Sequence, residues 1–191
     1  MAITARLAAN LLTCRLSSGK ELSAKPFYFR SAKEAAGSAL PEALFAVGGI
    51  TAVKVSGDTV SITRETPEDW PSVTRPAAKV LEAHLASGKP AIKAGASSNM
   101  PTEAEIREKV SDVLEKEINP AVAGHGGSID LVDVKGATVV LRMSGGCQGC
   151  ASSTATLKQG VERALRDAIP ELDDIVDSTD HSAGENPYYK G

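Results

Sequence analysis

One stretch divides this chain before any other feature matters. Residues 87–101 carry Gly88, Pro90, Gly95 and Pro101 among Ala, Ser and Lys. Small residues there gain little by burial, so the segment reads as a flexible linker over 89–101. On either side stand about ninety residues, residues 1–88 and residues 102–191, each suited to one small domain. Neither half has aromatic residues to spare, since these are 4% of the 191-residue chain while hydrophobic residues are 42%. Each core must therefore be built from aliphatic side chains on short helices and strands.

The second domain announces its elements clearly. Thr102 with Glu105 three residues on forms a capping box, and Ile106, Val110, Val113, Leu114 and Ile118 then share one helical face. Asn119-Pro120 ends or bends that helix, and residues 124–127 read as a turn. Two strand-like runs follow, 128–134 and 138–143, joined by Lys135, Gly136 and Ala137. Leu157, Val161, Ala164, Leu165, Ala168 and Ile169 stripe another helix, which Pro170 stops. Ile175 and Val176 suggest a last short strand, giving the order α-β-β-α-(β).

The first domain runs similarly. A short helix is expected near 41–47, then a hairpin of 50–55 and 59–63 turning at Gly57-Asp58. Trp70-Pro71 opens a helix with Val73, Ala77, Val80, Leu81 and Leu85 on one face. Earlier strands are expected near 11–16 and 27–29. Both halves read as α+β, each a small sheet with helices packed on one face.

Composition narrows the function classes. A formal charge of -3 argues against a broad basic surface, so no nucleic-acid partner is expected. No apolar run approaches the roughly 20 residues of a membrane span, so no membrane role is expected. Three cysteines are too few for a disulfide-stapled fold. No secretory signal is visible, and a cytoplasmic setting fits best. The first twenty residues hold Arg6, Arg15 and Lys20 and no acid, a composition shared with organellar transit peptides. A mitochondrial matrix or other organelle is therefore the alternative, although a folded strand over 11–16 is the preferred reading.

The chemistry concentrates at Cys147 and Cys150, a C-x-x-C pair between a strand and a helix. Gly145, Gly146 and Gly149 let the backbone approach a bulky inorganic group and free N–H groups to face sulfide or thiolate. The helix after Cys150 presents its positive end to the same place. Two thiols at this spacing also suit a dithiol redox pair, as in thioredoxin-like oxidoreductases, or a zinc-binding adaptor. No Pro lies between the cysteines, and His125 and His181 match no zinc spacing. On spacing alone the three readings stay open. A cluster needs about four thiolates. Cys14, in an apolar run of the other domain, reads as a buried small hydrophobe. Two copies of Cys147 and Cys150 about a two-fold axis would complete one cubane. A cluster held at such an interface leaves when the subunits part, which suits a carrier.

Residues from about 103 to 189 resemble the Nfu family, the domain shared with the C-terminal part of NifU scaffold proteins. The likeness lies in 119–127, from Asn119 and Pro120 through His125, in 129–134, in 145–162 around the cysteines, and in Asn186, Pro187, Tyr188 and Tyr189. Residues 11–90 resemble the Nfu N-terminal domain, best over 29–37 and 44–50. The resemblance implies a non-enzymatic carrier in which Cys147 and Cys150 ligate a [4Fe–4S] cluster shared by two subunits, a homodimer. Its other expected partners are apo iron–sulfur recipients and upstream cluster scaffolds. His125 reads as a turn residue without a catalytic role.

Overall fold

The computed structural model describes residues 3–8, 11–124, 126–145 and 151–178, with residues 151–156 described by backbone alone. The chain divides into two compact units, Met1–Met100 and Pro101–Gly191.

In the first unit the strands are β1 (Thr4–Leu7), β2 (Thr13–Ser17), β3 (Ser23–Phe29), β4 (Ala52–Gly57) and β5 (Thr59–Thr63). They form one antiparallel sheet in the order β1-β2-β5-β4-β3. The helices are α1 (Ala32–Ala35), α2 (Ala39–Phe45) and α3 (Trp70–Ser87). Register explains the core. Cys14 lies opposite Ile62 and Leu16 opposite Val60, and these in turn pair with Val53 and Val55. All six are buried, and they pack with Leu40 and Leu44 of α2 and with Val73, Ala77 and Leu81 of α3. Alternate positions along β2 and β5, namely Thr13, Arg15, Ser61 and Thr63, are only half-buried.

The hairpin turns where expected, with Gly57 at φ +57 between Ser56 and Thr59, a conformation natural for glycine. Two elements lie outside the sequence expectation. β1 is a four-residue edge strand whose side chains are all exposed, so it carries no alternation to read. α1 is a single capped turn, with the Ser31 hydroxyl accepting from the Glu34 N–H. α2 starts at Ala39, two residues before the expected Pro41, because a proline is tolerated in the first turn where no partner awaits its missing N–H.

The stretch read as a flexible linker over 89–101 belongs in large part to the first unit. Ala91 is buried in its core. The Ala91 carbonyl accepts from the Leu40 N–H at 3.3 Å, and the Ser98 carbonyl accepts from the Tyr28 N–H at 2.9 Å. The Ser38 hydroxyl accepts from the Lys93 N–H at 3.2 Å. Backbone groups answered in this way lay the segment along α2 and β3 despite its composition.

The second unit begins with α4 (Glu103–Val113), a π-helical turn (Leu114–Ile118) and α5 (Asn119–Ala123). The capping box is complete, with Thr102 and Glu105 bonding each other's backbone N–H. The helical path does not end at Asn119-Pro120. One wide turn intervenes, in which the Asn119 N–H donates to the Leu114 carbonyl, and α5 resumes with Pro120 in its first turn.

β6 (Gly127–Lys135), β7 (Thr138–Gly145) and β8 (Ile175–Asp177) form a second sheet in that order. β6 and β7 are antiparallel, whereas β8 joins β7 in parallel, opposite Val139, Val140 and Leu141. Leu131 pairs Leu141 and Asp133 pairs Val140, so Val132 is an extra residue in a bulge, and it is 40% exposed.

α6 (Ala151–Ala168) links β7 to β8, and a helical crossover is what a parallel pairing requires. Its exit is organised by buried Arg166. That guanidinium donates to the Leu172 and Asp173 carbonyls and to Glu162 at 3.0, 3.1 and 2.8 Å.

No helix among the described residues is long and apolar enough to cross a membrane.

Candidate functional site

The second unit supplies a frame around the C-x-x-C pair. β7 ends at Gly145 and α6 begins at Ala151, so residues 146–150, with both cysteines, connect a strand end to a helix start. Cys147 and Cys150 themselves lie outside the described residues, as do His125 and His181. The ground on either side of them is defined.

On the strand side, Gly127 pairs Gly145 and Ser128 pairs Ser144. The two serine hydroxyls meet at 2.6 Å, a short O–H···O bond across the strands. The described part of β7 therefore ends in register with the start of β6. β6 is held from its other edge by a residue that the sequence marks only as part of a helix stop. The Asn119 side chain accepts from the Ile129 N–H at 2.8 Å and donates to the Ile129 carbonyl at 3.1 Å. An amide has one acceptor and one donor group in the right order to imitate a neighbouring strand. The signal that could have located it is Asn directly before Pro at the boundary of two helical segments.

On the helix side, α6 is eighteen residues long and has no acid in its first turn. The partial positive charge of its amino end is thus not neutralised by its own side chains. Lys158 pairs with Asp177 at 2.6 Å, tying α6 to β8. The helix and the strand end are each anchored to the same small sheet.

The third cysteine belongs to the first unit. Cys14 sits on β2 in the first unit, 1% exposed, among aliphatic side chains. Burial pushes its thiol up from the usual range, which disfavours the thiolate that a metal or an electrophile needs. The expectation of a packed hydrophobe agrees with this placement. Among the described residues, no group of three or more His, Cys, Asp or Glu is placed to hold a metal ion.

Taken together, the two units define a protein in which an N-terminal α+β module precedes a smaller α+β module bearing the thiol pair. Comparison with known proteins gives this arrangement its family. Residues 3–88 match the family described as scaffold protein Nfu/NifU N terminal, and residues 110–176 match the NifU-like domain. The two matched segments take in most of the chain, and the chain belongs to the Nfu family.

Among curated proteins, the Fe/S biogenesis protein NfuA of Acinetobacter baumannii is 50% identical over 93 residues, covering 46% of this chain and 44% of that protein. The Fe/S biogenesis protein NfuA of Ectopseudomonas mendocina is 49% identical over 85 residues, covering 44% of each. The alignments thus span less than half the length of these relatives. A solution structure of a NifU-like protein from Saccharomyces cerevisiae overlays at TM-score 0.44 with 18% identity, covering 49% of this chain and 86% of that one.

Proposed function

We propose that this chain is an iron–sulfur cluster carrier whose cargo is a [4Fe–4S] cluster held by Cys147 and Cys150 of two copies and passed to apo proteins. The observation that carries the reading is the position of the C-x-x-C pair between a paired strand end and the start of a long helix. That position gives the thiols rigid neighbours and a positive backbone end, which favours thiolate and an anionic cluster. The named work of the NfuA relatives, Fe/S biogenesis, supports it.

The stoichiometry comes from ligand count. One chain brings two paired thiols, and Cys14 is buried in the other unit. Four thiolates therefore call for a homodimer around the cargo. No residue is assigned a catalytic role, and the chain acts by holding and releasing. The first unit, whose only cysteine is packed inside, serves recognition of upstream scaffolds or apo recipients. The division of labour follows the two units, Met1–Met100 and Pro101–Gly191. The bacterial relatives favour a cytoplasmic setting over an organelle matrix.

Anaerobic reconstitution with iron and sulfide tests the reading. The expected product is a brown species with two chains per four irons, absent from the double variant Cys147→Ser, Cys150→Ser. A full cluster on a single chain, or one that survives the double substitution, refutes it. Zinc without sulfide in the purified protein would point to the adaptor reading, and disulfide reduction by a colourless monomer to the oxidoreductase.

A further inference from the structure

We infer that Asn119 is a positioning residue for the cysteine segment, fixing the strand ends from which residues 146–150 depart and so slowing the loss of the cargo. The inference rests on the carrier reading above and extends it to a residue to which that reading gives no role.

The argument begins with an edge. β6 is an outer strand of its sheet, with β7 on one side only. At Ile129 the N–H and C=O both bond to Asn119, so they point away from β7. Left to water, such an edge frays within a residue or two of its end. Asn119 answers both groups at once, and it does so two residues from Gly127, whose register partner Gly145 is the last described residue before the cysteines. Between them, Ser128 and Ser144 join hydroxyls on the intervening pair. Ile129 is thus held from the outer edge and Ser128 across the ladder, side by side.

The helical path is shaped so that this contact can form. An uninterrupted α-helix from Thr102 would turn each residue about 100° past the last. The wide turn at Leu114–Ile118 accommodates an additional residue and resets the phase of α5. Ile118 and Val122 are then buried, and Asn119 reaches β6. A wide turn in a helix is uncommon and costs regular hydrogen bonding. Here its consequence is to deliver an amide to one strand residue beside the thiol segment.

The role predicted is local, which separates it from ordinary stability. Asn119→Ala removes both bonds; Asn119→Asp keeps the acceptor for the Ile129 N–H and loses the donor to its carbonyl. Thr102→Ala serves as the control, because it weakens the opposite end of α4 through its cap. Two readouts are needed on the full chain. In the apo protein, amide exchange at 127–129 and 143–145 is expected to quicken about tenfold in Asn119→Ala, at least as much in Asn119→Asp, whose second carboxylate oxygen faces the Ile129 carbonyl, and not in Thr102→Ala. In the reconstituted protein, bleaching by an iron chelator is expected to follow the same order, even where Thr102→Ala lowers the melting temperature as much.

Equal bleaching of Asn119→Ala and Thr102→Ala at matched melting temperature would reduce Asn119 to a fold residue and overturn the inference. So would unchanged exchange at the strand ends. If Asn119→Ala does not fold, Asn119→Asp decides by the same two measurements. A wild-type chain that takes up no cluster defeats the carrier reading instead, and the exchange data then judge the hold on the strand ends alone.

Discussion

Replacing Cys14 separates packing from ligation, and its cost can be worked from its surroundings. The thiol is 1% exposed and sits with Leu16, Val60 and Ile62 in the first unit's core. Cys14→Ala deletes one sulfur, comparable to a methylene worth about 0.8 kcal/mol, and leaves a small void. Together these predict a loss of about 1–2 kcal/mol. Cys14→Ser also leaves a small void, because oxygen is smaller than sulfur, and it buries a hydroxyl. The Arg15 carbonyl lies 4.0 Å from the sulfur, well beyond the ~2.7 Å an O–H donor requires. The Arg6 backbone faces this group and can answer the oxygen as an acceptor, but a buried O–H donor left without a carbonyl in reach costs about 1–3 kcal/mol, so serine should be at least as destabilising as alanine.

The chain's single tryptophan makes the measurement clean. Trp70 starts α3, is 6% exposed, and donates its indole N–H to the Leu11 carbonyl at 2.8 Å. Its fluorescence in urea therefore follows the first unit, and the midpoint should fall in the order wild type, alanine, serine at unchanged slope. Alkali adds a second signature. In the unfolded chain the thiol ionises near ~8.5, whereas burial raises its folded value. Between the two values the unfolded state binds fewer protons, so stability falls as pH rises through that window. Cys14→Ala should lack this part of the alkaline decline and, on the proposed carrier function, should load cluster as wild type does. A serine variant more stable than alanine, or an alanine variant unable to load, would refute the placement of Cys14 as an inert core group.

Three further substitutions test the second unit. Thr102→Ala should cost about 1 kcal/mol by removing the cap, seen as faster amide exchange in the first turn of α4. Bonding from the Thr102 backbone N–H holds the Glu105 carboxyl below its usual range, so the cap's contribution is present above that range and is lost as pH falls through the depressed value. Gly136→Ala should cost about 1 kcal/mol from conformation alone, because φ is +59 and no atom lies within 4 Å of the added carbon; thermal melting of this variant checks it. Arg166→Met should cost about 3 kcal/mol, since it strands the Leu172 and Asp173 carbonyls and the Glu162 carboxylate; loss of exchange protection at the end of α6 would report it.

The elements visible in the sequence are those whose periodicity or capping is local. The Thr102–Glu105 box, the hairpin at Gly57-Asp58, the stop at Pro170 and the alternation of Val139, Leu141 and Met143 all need only a few neighbouring residues. The features that were not legible depend on partners distant in sequence. β1 has four exposed residues and is a strand because β2 pairs with it. The segment around Ala91 and Ser98 has a linker's composition, yet its carbonyls are answered by Leu40 and Tyr28. The bulge at Val132 is invisible in an apolar run, because only the register against Leu141 and Val140 shows that a residue has been left over.

The same distinction governs the site. Cys147 and Cys150 can be singled out from residue type, spacing and neighbouring glycines, because thiol chemistry marks itself. The frame carries no such mark. Asn119 looks like a helix terminator until its amide is seen to bond Ile129, ten residues on and in a strand. Ser128 and Ser144 look like ordinary strand polar residues until the register brings their hydroxyls together. A carrier must bind its cargo and also let it go, so its useful property is a rate of release. Release depends on how firmly the ground around the thiols is held, and changes there can tune it while the ligands stay the same. On the proposed carrier function, substitutions at Asn119 should therefore grade cluster lifetime, whereas those at Cys147 or Cys150 should abolish binding outright.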